Sequence, residues 1–214
     1  MQTKTNVLVF SLAAILALSV VAVGEIPQAE ADKDDPKKLK FKKKPDFVSD
    51  SCFKTGFALE KLPEANLDVL DCKMQAWLDK KANNLKYEIQ ITGMEWIDTN
   101  SDHVDDVDGS HIHKMMGGTE ENPTGPHVVD AFGNPEFGDS DVVVKPFQGI
   151  VEGIWDNDDH PDGLKDNLEL LCTSKIFSAV HGEFIDFGTH HAGYLKMVLE
   201  PTEQGKKACN KLGF

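Results

Sequence analysis

Arginine is absent: all 22 basic residues of this 214-residue chain are lysine, set against 36 Asp and Glu. The formal net charge of −14 repels phosphate backbones and excludes sequence-independent nucleic-acid binding, leaving divalent cations and basic partners open. A Gly-x-Ser-x-Gly elbow, a phosphate-binding loop and a His-Glu-x-x-His stretch are also missing, so nothing points to hydrolase chemistry. No apolar run after residue 31 is long enough to span a bilayer, and no internal repeat is present. What is there suffices to fold: 40% hydrophobic and 27% charged residues describe an ordinary globular chain, with one domain the natural reading at this length.

Lys4 precedes an uncharged run of seventeen residues, Val7 to Val23, and then a small-x-small site at Ala29 to Ala31 or at Ala22 to Gly24. Residues 1–31 therefore read as a secretory signal peptide, the alternative being an uncleaved anchor. The expected protein is secreted or extracytoplasmic, without a transmembrane segment after cleavage, or tethered only at its N-terminus. Residues 32–48 read as a Lys-rich solvated linker, with a tether to an acidic surface as the sharper alternative. Residues 49–201 form the expected domain and 202–214 a C-terminal tail.

Four cysteines, Cys52, Cys72, Cys172 and Cys209, are expected to pair as disulfides in an export context. Three connectivities are open. Cys52 and Cys72 flank a turn-like Pro63-Glu64-Ala65, so a hairpin would set them face to face and leave Cys172 to Cys209 to staple the tail.

Period-two alternation dominates from residue 53 onward: Phe53, Phe57 and Leu59; Cys72, Met74, Ala76 and Leu78; Leu85, Tyr87, Ile89 and Ile91. Further strands are expected at 110–114, 127–132, 142–145, 150–155, 176–181 and 192–199. Turns separate them, among them Gly117-Gly118, Asn122-Pro123 and Asp162-Gly163. Only residues 162–171 have helical spacing, through Leu164, Leu168 and Leu171. These elements define an all-β fold, an antiparallel Greek-key-type sandwich of seven to nine strands with one short helix.

All eight histidines lie between residues 103 and 191. In His111-Ile112-His113 on a strand, both imidazoles point to one face and Ile112 to the other. Two neutral imidazoles side by side are half of a metal site. His127 follows in Gly125-Pro126-His127, and His181 ends a later strand.

The succession of Leu85-Lys86-Tyr87-Glu88-Ile89, Ser110-His111-Ile112-His113, Gly125-Pro126-His127-Val128-Val129, Gly149-Ile150-Val151-Glu152-Gly153-Ile154-Trp155, Val180-His181-Gly182, and Gly188 with Ala192-Gly193-Tyr194-Leu195 resembles the CHRD (chordin-type) domain of secreted proteins. The resemblance covers about residues 50–200 and implies an extracellular β-sandwich binding module without an established reaction. The family's closing Gly-Glu-x-Arg-Gly pattern is replaced by Thr189-His190-His191-Ala192-Gly193. More distantly, the same residues are similar to the copper-zinc superoxide dismutases, in which a His-x-His strand, a Gly-Pro-His loop and a Val-His strand supply the copper ligands. That likeness implies copper or zinc held by His111, His113, His127 and His181. A second His cluster for the zinc half is missing, and His190 stands roughly where that family's Arg would lie. A copper-only dismutase-like enzyme is the alternative function it implies.

Asp98-Thr99-Asn100-Ser101-Asp102 begins like a calcium loop, with Asp98, Asn100 and Asp102 as the oxygen ligands. It departs from an EF-hand at His103, in place of the turn Gly, and at Gly109, in place of the bidentate Glu. Asp156, Asp158, Asp159 and Asp162 form a second acidic turn. The remaining reading is a surface or adhesion module whose acidic loops meet a basic extracellular partner. Trp77, Trp96 and Trp155 are read as core.

Overall fold

Alternating apolar residues become strands, and the chain builds thirteen of them among the described residues. In order these are β1 (Phe47–Ser49), β2 (Phe53–Lys54), helices α1 (Gly56–Lys61) and α2 (Glu64–Val69), β3 (Asp71–Leu78) and β4 (Leu85–Thr92). Then come β5 (Val107–Lys114), β6 (Gly117–Gly118), β7 (Pro123–Thr124), β8 (His127–Phe132), β9 (Val143–Lys145) and β10 (Ile150–Trp155). The chain ends with α3 (Leu164–Cys172), β11 (Ile176–Gly182), β12 (Leu195–Val198), β13 (Glu200–Pro201) and α4 (Glu203–Leu212). The computed structural model describes residues 41–61, 64–94, 107–132, 141–159, 162–182 and 195–214, all within the unit Asp34–Phe214. The signal-peptide reading of residues 1–31, most of the Lys-rich segment, Asp98, Asn100, Asp102, Trp96, His190 and His191 lie outside the described residues. Among the described residues, no helix is long and apolar enough to cross a membrane.

The architecture is an antiparallel sandwich. One sheet has the order β13-β1-β3-β4-β10-β9 and the other β2-β12-β11-β5-β8, with β6 and β7 forming a separate small hairpin. The chain changes sheet after β1, β2, β4, β8, β10 and β12, the crossings after β4, β8 and β10 being of the Greek-key kind. Buried side chains alternate along β3 and β4, and Met74, Ala76, Tyr87, Ile89, Val151 and Trp155 face Ile112, Ile176, Val180, Leu195 and Met197 in one core. Helix α3 adds Leu164, Leu168 and Leu171 to it.

Three local readings need correction. Residues 57–59 alternate but belong to helix α1, a short window in which period two and period 3.6 are easily confused. The segment between Cys52 and Cys72 is therefore no hairpin: it holds α1 and α2. The pairs Cys52–Cys72 and Cys172–Cys209 do form, the first joining the residue just ahead of β2 to β3 in the opposite sheet. Gly117-Gly118, expected as a turn, instead forms β6 and pairs with β7, which begins at Pro123, while Asn122 lies in the bend that joins the two strands. Beyond the one helix expected from spacing, α3, the described residues hold α1, α2 and α4 as well.

The C-terminal segment is fastened by backbone contact. The Thr202 hydroxyl caps α4 by accepting from the Gly205 N–H at 3.2 Å, while the Thr202 N–H donates to the Asp46 carbonyl at 2.9 Å. The buried Asp46 carboxylate accepts in turn from the Leu78 N–H at 3.0 Å and from Lys42 at 2.6 Å. Gly205 lies so close to β1 that a Cβ would sit 2.0 Å from the Asp46 carbonyl oxygen, which is backbone and cannot swing away. Gly205→Ala is expected to cost about 2 kcal/mol through this overpacking, or roughly 4–8 °C in Tm by calorimetry.

Candidate metal centre

Register decides which side chains share a face. On β5 and β11 the core takes Ile112, Ile176 and Val180, so alternation turns His111, His113, Phe177, Ala179 and His181 to the outer face of the five-stranded sheet. His113 is paired across strands with Phe177 on one side and with His127 on the other. The pairing of β5 with β8 shifts register between Ser110 and His111 and again between Ile112 and His113. These bulges leave Val128 and Val129 both buried while His127 stays opposite His113.

Three strands thus deliver four imidazoles to one patch. The ring centre of His111 lies 4.2 Å from that of His127, 4.9 Å from His181 and 6.1 Å from His113, and His113 lies 4.4 Å from His127. Imidazoles sharing one ion at N–metal distances of about 2.0–2.1 Å have ring centres about 4.5–6 Å apart. His111–His181 falls inside that range, while the 4.2 and 4.4 Å pairs are slightly closer and the 6.1 Å pair slightly wider, so the spacing comes near that of a common ion. The orientation does not yet match. His111 and His127 stack within 25° of parallel, which runs their lone pairs side by side rather than to a point. As the side chains stand, no group of three or more His, Cys, Asp or Glu among the described residues is set to hold a metal ion. Binding requires one of the stacked rings to turn.

His113 is the most prepared of the four. It is 4% exposed, and its Nδ1 lies 2.9 Å from the Gly125 carbonyl. A carbonyl only accepts, so Nδ1 carries the proton and donates it, leaving the lone pair on Nε2. That Nε2 is buried and has no hydrogen-bond partner. This pattern, one ring nitrogen held by a backbone carbonyl and the other bare, is how a metal-ligating histidine is oriented. Gly125 can serve because it has no side chain: a Cβ there would lie 1.7 Å from the Lys114 carbonyl oxygen. The donor set therefore fits copper or zinc in chemistry, and Cu(II) in intrinsic affinity.

Burial, followed by the neighbouring His127, His111 and Lys196 charges, pushes the His113 pKa down to about 3 against the raising effect of the Gly125 bond. At pH 7 the ring is neutral, so no proton has to leave before it ligates. The shift also destabilises the metal-free fold in acid. Between pH about 6.5 and about 3 the unfolded chain protonates His113 and the folded chain does not, so stability present above 6.5 is lost as pH falls. Urea titrations of metal-free protein at pH 7 and 4.5 are expected to show roughly 2 kcal/mol more loss in wild type than in His113→Gln.

Sequence spacing singled out His111, His113, His127 and His181, and the fold brings all four together. It missed Gly125, Phe177 and Lys196, which surround His113. The signals were faint: a glycine two residues ahead of His127, and a lone lysine inside the apolar run Leu195 to Leu199. The second acidic turn has a structural use. Asp159 accepts from the Asp156 N–H and Asp156 from the Asp158 N–H, both at 2.7 Å, and Asp162 pairs with Lys114 at 2.6 Å. Trp155 is core, with its Nε1 donating to the Asp162 carbonyl. Compared with protein-family models, curated proteins and solved structures, the chain matches none.

Proposed function

We propose that this chain is an exported CHRD-type sandwich that binds one copper or zinc ion through His111, His113, His127 and His181. The observation that carries the reading is the gathering of four imidazoles from β5, β8 and β11, with His113 fixed by Gly125 so that Nε2 bears the lone pair. Paired cysteines suit an oxidising compartment, which supports export. The overall charge suits a basic extracellular partner. Stripping with a chelator, reloading with copper(II) or zinc(II) and elemental analysis test the reading. One ion per chain is the expected result, and no retained metal overturns it.

A second, enzymatic reading rests on a separate observation. His111 and His127 keep partial exposure while His113 and His181 are buried, so solvent reaches one edge of the histidine patch, although His127 Nε2 is itself buried. Dismutase-like turnover is decided by superoxide decay with the copper-loaded protein.

A further inference from the structure

We infer that Lys196 is a positioning residue for the histidine cluster: it clamps the hairpin of residues 117–126 onto the outer sheet face and so holds the Gly125 carbonyl on His113. This deepens the metal reading and rests on it for its functional meaning. Lys196 stands on β12 between Leu195 and Met197, which face the core, so its own side chain runs to the outer face. There it is 6% exposed. Burying an ammonium is unfavourable, far more so than burying an aliphatic side chain of the same length, unless hydrogen bonds replace its water. The replacements come from the hairpin: Nζ donates to Asn122 Oδ1 at 2.9 Å and to the Pro123 carbonyl at 2.8 Å. Its charge also lies 5.9 Å from the ring centre of Phe177.

The hairpin needs such an anchor. β6 and β7 are two residues each, too short to persist alone. Directly after β7 comes Gly125, whose carbonyl fixes His113. Two backbone bonds, Met116 N–H to the Thr124 carbonyl at 2.8 Å and Lys114 N–H to the Pro126 carbonyl at 3.1 Å, join this loop to the end of β5. Lys196 pins its far side. The same lysine reaches His113 by a second route, since Phe177 stacks on the His113 ring at 4.8 Å and 13°. A clamp on one side and a stacked plate on the other leave His113 a single orientation, with the Nδ1 proton on Gly125.

Long-range nitrogen–proton NMR of the oxidised, metal-free protein at pH 7 reads the tautomer directly. Wild type is expected to show His113 only as the Nδ1–H form. In Lys196→Met the ratio of the two tautomers is expected to fall about tenfold or more, the loss of one hydrogen bond's discrimination. Asn122→Ala, at an exposed residue, is expected to keep the fold and to shift it in the same direction by less, since the Pro123 bond remains. A role in stability alone would lower Tm and leave the tautomer unmoved. A folded Lys196→Met with the wild-type tautomer overturns the inference. Where Lys196→Met does not fold, an unchanged tautomer in Asn122→Ala overturns it. Zinc(II) titrations of the same samples separate the two claims. Weaker binding in step with the tautomer supports both. A wild type that binds no zinc or copper, with the tautomer shifted in the variants, sinks the metal reading and leaves the positioning role standing.

Discussion

Replacing His111 and His113 together with alanine is expected to weaken copper(II) or zinc(II) binding by about 10²–10⁴-fold, enough to abolish stoichiometric uptake at micromolar protein. Removing even an outer partner of a metal ligand costs roughly ten- to a hundredfold, and this variant removes two direct donors, one of them the pre-oriented His113. The fold is expected to survive. Both rings lie on the outer face of the five-stranded sheet, whereas Ile112 between them stays in the core. The neighbouring Phe177 and Val129 keep their strand pairings. Elemental analysis after loading, beside urea unfolding of the same variant, reads affinity and fold separately. Metal content equal to wild type would place the ion elsewhere and defeat the assignment of the four histidines. A variant that loses metal while unfolding at wild-type urea concentrations would establish them as ligands rather than supports.

How far the sequence reaches toward this arrangement depends on the range of the interaction. Leu85, Tyr87, Ile89 and Ile91 declare β4 because a half-buried strand must alternate, and that rule acts within the segment itself. His111 and His113 were legible for the same reason, since His-x-His on a strand fixes two imidazoles to one face; His127 and His181 were added by the resemblance to the dismutase ligand order. Helix α4 was not legible from apolar periodicity, since its buried residues are Gly205 and Cys209. Its ends were marked, by Thr202 at the N-cap and by Gly213 in the left-handed conformation at the other end. Lys196 and Gly125 left only faint marks, and their roles were out of reach. Their roles arise from the register of β12 against β11 and from the loop joining β7 to β8, both non-local. The bulges that place His127 opposite His113 are in the same class, because a one-residue slip reverses the face and leaves no mark in local composition.

Reducing both disulfides is expected to lower Tm by about 15–25 °C, the largest loss of stability from any single treatment. In the chain-entropy model the 20-residue separation of Cys52 and Cys72 contributes about 3 kcal/mol, and the 37-residue separation of Cys172 and Cys209 about 4 kcal/mol. Their sum rivals the whole stability of an ordinary domain, about 5–15 kcal/mol. The two bonds act at different places. Cys52–Cys72 links the two sheets beside helices α1 and α2, each of six residues, too short to hold without tertiary contacts. Cys172–Cys209 ties the last residue of α3 to α4, whose other fastenings run through Thr202 and Gly205 to the Asp46 backbone. A Cys172→Ala/Cys209→Ala variant is accordingly expected to lose about 8–15 °C, with α4 the first element to exchange its amide protons. The consequence reaches function, because a fold that depends on its disulfides assembles the histidine patch only where thiols are oxidised. Reduction that moves Tm by only a few degrees would show a core sufficient by itself, and the cysteines would then give no stability-based reason for export.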